Sequence, residues 1–256
     1  MASRFECVGF PLNREESSAA ALAGIVRGLF EEGRPLPAPE GLHASEWRSP
    51  EGAAAYAAVS VDAGEGRLDL RCFTPAFFGS TRRRMKVFRS LPDPACPFCD
   101  FLHGELLGEG GREGSPLLVE IKDPRYRRDA DLRGVEVAMQ VNLLAQEVHA
   151  FRDREDFLAR RPEPLEPGAF VPSGLLVQPR SATAKAAGEV LEAAQRVNPL
   201  GGGAFHHARV AACGGEIDLL AAAADLPEGL RAGQFVLVHG SLVGRFLEDP
   251  PVPAAP

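Results

Sequence analysis

The clearest hydrophobic pattern in the chain is an alternation. Val135, Val137, Met139, Val141 and Leu143 are interleaved with Glu136, Ala138, Gln140 and Asn142. Successive side chains on a strand point to opposite faces, so period two predicts a strand here. A second pattern lies near the N-terminus, where Leu22, Ile25, Val26, Leu29 and Phe30 recur at i, i+3, i+4, i+7 and i+8. That spacing places them on one face of a helix. Asn13-Arg14-Glu15-Glu16 before it has the form of a capping box, and Gly33 stands where a C-terminal cap belongs. A helix with one apolar face has to bury it, so this one is expected to press on a sheet.

The remaining elements follow from shorter signals. Arg4 to Phe10 reads as an opening strand ended by Pro11, and Arg34 to Gly41, with three prolines, as a connector. Ala57 to Val61 and Arg67 to Phe73 flank the turn-rich Asp62-Ala63-Gly64-Glu65-Gly66 and read as a hairpin. The alanines from Ala53 to Ala58 permit a helix as well as a strand. Arg82 to Phe88 and Leu117 to Ile121 are further strands. Ser90 to Ser115, rich in proline and glycine, reads as an extended surface excursion. Asp153 to Arg160 suits one or two helical turns stopped by Pro162. The proline-rich Arg161 to Gly168 is the natural boundary between two halves.

From Phe170 to Leu247 at least four short apolar runs are separated by turn chemistry at Pro199 to Gly203, Gly214-Gly215 and Pro227-Glu228-Gly229. Ile217 and Leu219 alternate with Glu216 and Asp218, as in a strand with one wet face. Gly214-Gly215 suits a two-residue hairpin turn. Phe235 to Phe246 is apolar on both faces and suits a central strand, bent at Gly240 and Gly244. The expected fold is α+β, mostly antiparallel β, with the N-terminal helix packed on a sheet and a small C-terminal β-barrel. The expected division is a β-rich domain over 1–165, the barrel over 169–247, and a disordered tail over 248–256 that holds four prolines.

Composition narrows the function classes. A net charge of −7 argues against a nucleic-acid protein, which needs a dense basic surface. The start of the chain has no apolar leader, and no stretch is apolar for long enough to span a bilayer. Five cysteines without a disulfide rhythm point to a reducing cytoplasm.

Cys96-Pro97-Phe98-Cys99 is the motif that invites chemistry. A redox role needs a strand running into it and a helix running out, whose N-terminal amides and dipole lower the first thiol's pKa. Here Leu91-Pro92-Asp93-Pro94-Ala95 precedes it and glycines at Gly108, Gly110 and Gly111 follow. Zinc is the other role, with His103 as a third ligand beside Cys96 and Cys99, and Cys7, Cys72 or a distant histidine completing four. The preferred reading is plainer: two loop cysteines of ordinary reactivity and no metal. His206 and His207 are adjacent on a strand, so they face opposite ways and do not chelate one ion together. One of them lies within reach of the Glu216–Asp218 face, although solvated strand positions explain those carboxylates more simply. The basic runs Arg82 to Lys86 and Arg125 to Arg128 read as solvated faces. No phosphate-binding loop, dinucleotide fingerprint, nucleophile elbow or HExxH motif is present.

Pro172-Ser173-Gly174-Leu175, Asn198, Gly214-Gly215-Glu216-Ile217-Asp218 and Gly244-Arg245, with the stretch from Gly9 through Phe73, resemble a family of uncharacterised bacterial proteins. The resemblance implies a mostly β chain ending in a small barrel, and no catalytic residues. Together these observations point away from an enzyme. They point to a cytoplasmic binding or interaction protein with no cofactor, taking a small apolar ligand or a protein partner. The alternative is a thiol-redox or zinc-binding protein using Cys96 and Cys99.

Overall fold

The computed structural model describes residues 3–12, 19–38, 40–61, 68–93, 96, 99–108, 114–123, 132–177 and 181–248. Among these residues the protein is mostly β, with three α-helices, a small antiparallel sheet and a large mixed one.

The N-terminal segment does not form the expected strand. Glu6–Val8 is a single 3-10 turn, closed by Gly9 in the left-handed region. Its apolar residues Cys7, Val8 and Phe10 are buried as a plug, because the chain tucks under strands that arrive much later. Asn198 holds it there: its amide donates to Val8 O at 2.7 Å while its carbonyl accepts from the N–H groups of Leu200 and Gly201. Helix α1 (Ala19–Glu32) follows and buries Ile25 and Leu29. The proposed capping box lies outside the described residues.

The small sheet comprises β1 (Arg34–Leu36), β2 (Leu42–Arg48), β3 (Ala53–Val61) and β4 (Leu68–Phe77) in that order. The alanine run is strand, and Ala53 to Ala58 are all buried because β3 is covered on both faces. Small side chains let that double cover approach closely, which a helix would not need. The tip of the β3–β4 hairpin lies outside the described residues. Trp47 donates to Glu32, and Ser45 to Leu29 O, so α1 is tied to β2.

The large sheet takes up the rest: β5 (Arg83–Pro92), β6 (Cys99–Leu107), β7 (Ser115–Lys122), β8 (Glu136–Phe151), β9 (Phe170–Val171), β10 (Thr183–Val197), β11 (Ala204–Ala212), β12 (Gly215–Ala222) and β13 (Phe235–Phe246). Helices α2 (Arg154–Arg160), capped by Asp153 on the Asp156 N–H, and α3 (Ser173–Val177) lie between them. The surface excursion expected over 90–115 instead contains β6, an interior strand whose Leu102 and Leu106 are fully buried. Its one glycine permits close strand contact rather than a loop: a Cβ at Gly104 would meet Lys86 O at 2.3 Å.

Pairing in this sheet returns on itself twice. One circuit runs β8–β12–β11–β10–β13 and back to β8; the other runs β8–β5–β6–β7–β13 and back. Both share the long antiparallel pair β8–β13, and each includes one parallel contact, β12–β8 or β7–β13. The strands from Phe170 onward therefore do not close among themselves, because β12 finds its second neighbour in β8. The alternation that marked residues 135–143 thus runs into a strand that, like β13, belongs to both circuits. β10 is built from helix-favouring Ala, Glu, Lys and Gln, yet it is strand because β11 and β13 hydrogen-bond both its edges. Met85, Leu102, Leu106, Val137, Met139 and Leu143 fill the common core.

The β11–β12 turn is centred on Cys213 and Gly214, both at positive φ, one residue earlier than the paired glycines suggested. Arg83, expected on a solvated face, is buried and donates to Leu107 O and Cys213 O beside that turn. Arg82 and Arg84 remain exposed. Among the described residues no helix is long and apolar enough to cross a membrane.

Candidate functional site

Two polar clusters lie in the seam between the sheets. The first is sulfur. Cys72 sits on β4 opposite Ala58, Cys96 lies in the connector before β6, and Cys99 opens β6. Their sulfurs all lie within 4.8 Å of one another. Cys72 and Cys96 are joined as a disulfide with Cα atoms 5.4 Å apart, and the Cys96 and Cys99 sulfurs are 2.7 Å apart. Alternation along β6 explains the placement. Leu102 and Leu106 face the common core, so Cys99 on the other face meets the small sheet. Ala44 and Ala58 pack against the three sulfurs, and relative exposures of 9%, 6% and 1% leave the group dry.

The strand register adds charge. Cys99 pairs across with Lys122, and Phe101 with Glu120. Lys122 is fully buried, with Nζ donating to Pro75 O at 3.0 Å and lying 3.5 Å from Glu120. Arg4 donates to Glu120 at 2.6 Å. Burial, reinforced by Arg4, pushes the Lys122 ammonium down to about 8. Burial pushes the Glu120 carboxyl up, but Lys122 and Arg4 outweigh it and leave Glu120 below its ordinary value. Burial pushes the Cys99 thiol up to about 12, against the pull of Lys122. The thiol is therefore held protonated and inaccessible, the opposite of an exposed redox nucleophile.

His103, the histidine expected beside these thiols, is not in the sulfur group. It packs edge-on against Phe88, with ring centres 5.6 Å apart, and its pKa is lowered by partial burial and Arg89. Cys72 takes the third position instead. It reaches the motif because the fold brings β4 of the small sheet beside the start of β6, a relation between distant segments that no spacing displays. Lys122 and Glu120 were missed for the same reason.

The second cluster is centred on Asp218, expected to be solvated and found fully buried. Gly79 and Thr81 of the β4–β5 connector close over that face of β12, and four donors compensate for the lost water. His207 lies 2.7 Å from Oδ1, while Thr81 Oγ1 at 2.5 Å, Thr81 N at 3.3 Å and Gln140 Nε2 at 2.9 Å reach Oδ2. Gln140 also donates to Asn142, whose amide donates to Phe77 O. His206 turns the other way, to Leu226 O, so the two histidines diverge as alternation requires. Glu216 sits at the surface with Arg209. The carboxylate stands between hydroxyl and imidazole, so Thr81 is not hydrogen-bonded to His207 and no activated nucleophile results. This cluster fastens the β4–β5 connector to β8, β11 and β12.

Elsewhere, an open hollow of about 420 Å³ lies between β8, α2 and the end of the β12 region, beside His149, Arg160 and Asp225. His149 there is engaged by Glu147 at 3.0 Å. No protein-family profile, characterised protein or solved structure matches the chain, so the arrangement of its own residues carries the functional argument.

Proposed function

We propose that this is a non-catalytic binding or interaction protein of the bacterial cytoplasm whose two sheets are fastened by a redox-responsive thiol joint. The observation that carries the reading is the convergence of Cys72, Cys96 and Cys99 in the seam. In this reading each pairing circuit is a small barrel sharing β8 and β13, and the interior is filled by side chains. The working surface is then the outside of the molecule, with the small sheet as the part that can be loosened or held.

A small disulfide RSSR supplies the oxidising equivalents. One cysteine thiolate attacks it and releases RS⁻; the second thiolate attacks the mixed disulfide, releases the second RS⁻ and closes the Cys72–Cys96 bond. Closing a loop across 24 residues stabilises the oxidised form by roughly 3 kcal/mol in the chain-entropy account. Burial makes the exchange slow, which suits a joint set by prevailing redox conditions rather than a turnover catalyst.

The test is differential alkylation with peptide mapping after equilibration in thiol–disulfide buffers, together with hydrogen exchange of β1 to β4 in both forms. A Cys72–Cys96 disulfide, with faster exchange in the small sheet after reduction, is expected. Exchange unaffected by reduction, or no disulfide under oxidising conditions, overturns the reading.

A further inference from the structure

The donor set at the joint has a second capability. We propose that Cys72, Cys96 and Cys99, when reduced, bind one thiophilic closed-shell cation, copper(I) or zinc(II). The inference rests on the same three thiols as the redox reading but does not require that they ever oxidise.

Three observations support it. The sulfurs lie within 4.8 Å of one another, and three thiolates about 2.3 Å from a shared ion stand roughly 4 Å apart, so small side-chain shifts complete the site. The donors are all soft, and the group contains no carboxylate or imidazole, which disfavours magnesium and calcium. The third observation is charge. Lys122 lies directly across from Cys99, and its charge, with that of Arg4, favours a thiolate there, offset in part by Glu120 and Asp93.

Binding exchanges protons for metal: three thiols and one ion give a tris-thiolate complex and three released protons. A trigonal sulfur set satisfies copper(I), whereas zinc takes a fourth ligand. The bound ion and the Cys72–Cys96 disulfide exclude each other, because the disulfide consumes two of the three donors.

The experiment uses full-length protein, reduced and handled without oxygen. It is titrated separately with copper(I) against a chromophoric chelator and with zinc(II) against a metal-sensitive dye, and stoichiometry is read by native mass spectrometry. One ion per chain with loss of three protons is expected. Affinity should fall by more than about 100-fold in Cys99→Ser, beyond the loss caused by altering a supporting residue. Cys213→Ser should leave it unchanged. Preference for copper(I) marks a trigonal site and preference for zinc(II) a four-coordinate one, and either sustains the proposal. X-ray absorption on the loaded wild-type protein, with three sulfurs expected at about 2.3 Å, decides the matter if serine variants fail to fold. Absence of stoichiometric binding by both ions, retention in the triple serine variant, or a nitrogen- and oxygen-only shell overturns it. The redox reading fails separately, on the disulfide map.

Discussion

His207 Nε2 and Asp218 Oδ1 lie 2.7 Å apart in a seam where the carboxylate has no contact with solvent. The pair joins neighbouring strands β11 and β12, and Thr81 binds the other carboxylate oxygen from the β4–β5 connector. Removing the carboxylate therefore leaves several buried donors without an acceptor. Asp218→Ala is expected to destabilise by roughly 3–5 kcal/mol, and Thr81→Val by about 1–3 kcal/mol. Urea denaturation followed by circular dichroism measures both. Equal, small effects would show the carboxylate to be dispensable.

Gly79 supplies the room for that carboxylate. A Cβ there would stand 2.4 Å from Asp218 Oδ2 and 2.5 Å from its Cγ. The carboxylate is held by its donors and has nowhere to retreat, so Gly79→Ala is expected to cost about 1–3 kcal/mol. In an Asp218→Ala background the penalty should shrink, and a double-mutant cycle reads the difference.

Glu120 and Lys122 are unequal partners. Glu120→Gln leaves a buried ammonium facing no carboxylate and is expected to cost roughly 3–5 kcal/mol. Lys122→Met leaves Glu120 with Arg4 at 2.6 Å but takes the donor from Pro75 O, so its cost should be smaller, about 1–3 kcal/mol. Comparison of the two denaturation midpoints checks the asymmetry, and a reversed order would contradict it.

Cys7 provides a pH test away from the three-cysteine joint. Burial, followed by the charge of Asp225, pushes its thiol from 9.0 to about 12. Between those values the unfolded chain has released the proton while the native chain retains it. Stability from this group is therefore complete below pH 9 and lost as pH rises toward 12, by up to about 1.4 kcal/mol per unit. Cys7→Ala should flatten that part of the stability profile relative to wild type. At pH 8 the native thiol should resist alkylation until the chain unfolds.

What was legible in the sequence was local. Alternation over residues 135–143 falls in β8, the doubly apolar run over 235–246 is β13, and adjacency alone separated His206 from His207. What was hidden depends on which distant segment covers which face. Asp218 alternates with apolar neighbours just as a solvated residue does, and the β4–β5 connector lying over it, with Gln140 and His207 beside it, buries it. Cys72 and Cys99 carry no mark of their proximity, which exists because the fold brings β4 to the segment that opens β6. Residues 4–10 are apolar enough for a strand but form a plug, because Asn198 and its turn offer the backbone other partners. Composition misled at β6 for a related reason: Gly104 reads as a loop residue in isolation and as a close-packing residue once β5 lies against it.

The sharing of β8 and β13 by both pairing circuits has a consequence during synthesis. Until Phe235–Phe246 leaves the ribosome, β7 and β10 lack the neighbour that β13 supplies, and neither circuit is complete. The nascent chain thus carries open strand edges until β13 is made, the state in which edge-to-edge pairing with other chains is easiest. β13 ends this exposure for both circuits, so a stop or frameshift before residue 235 yields a product prone to aggregate rather than a shorter working protein.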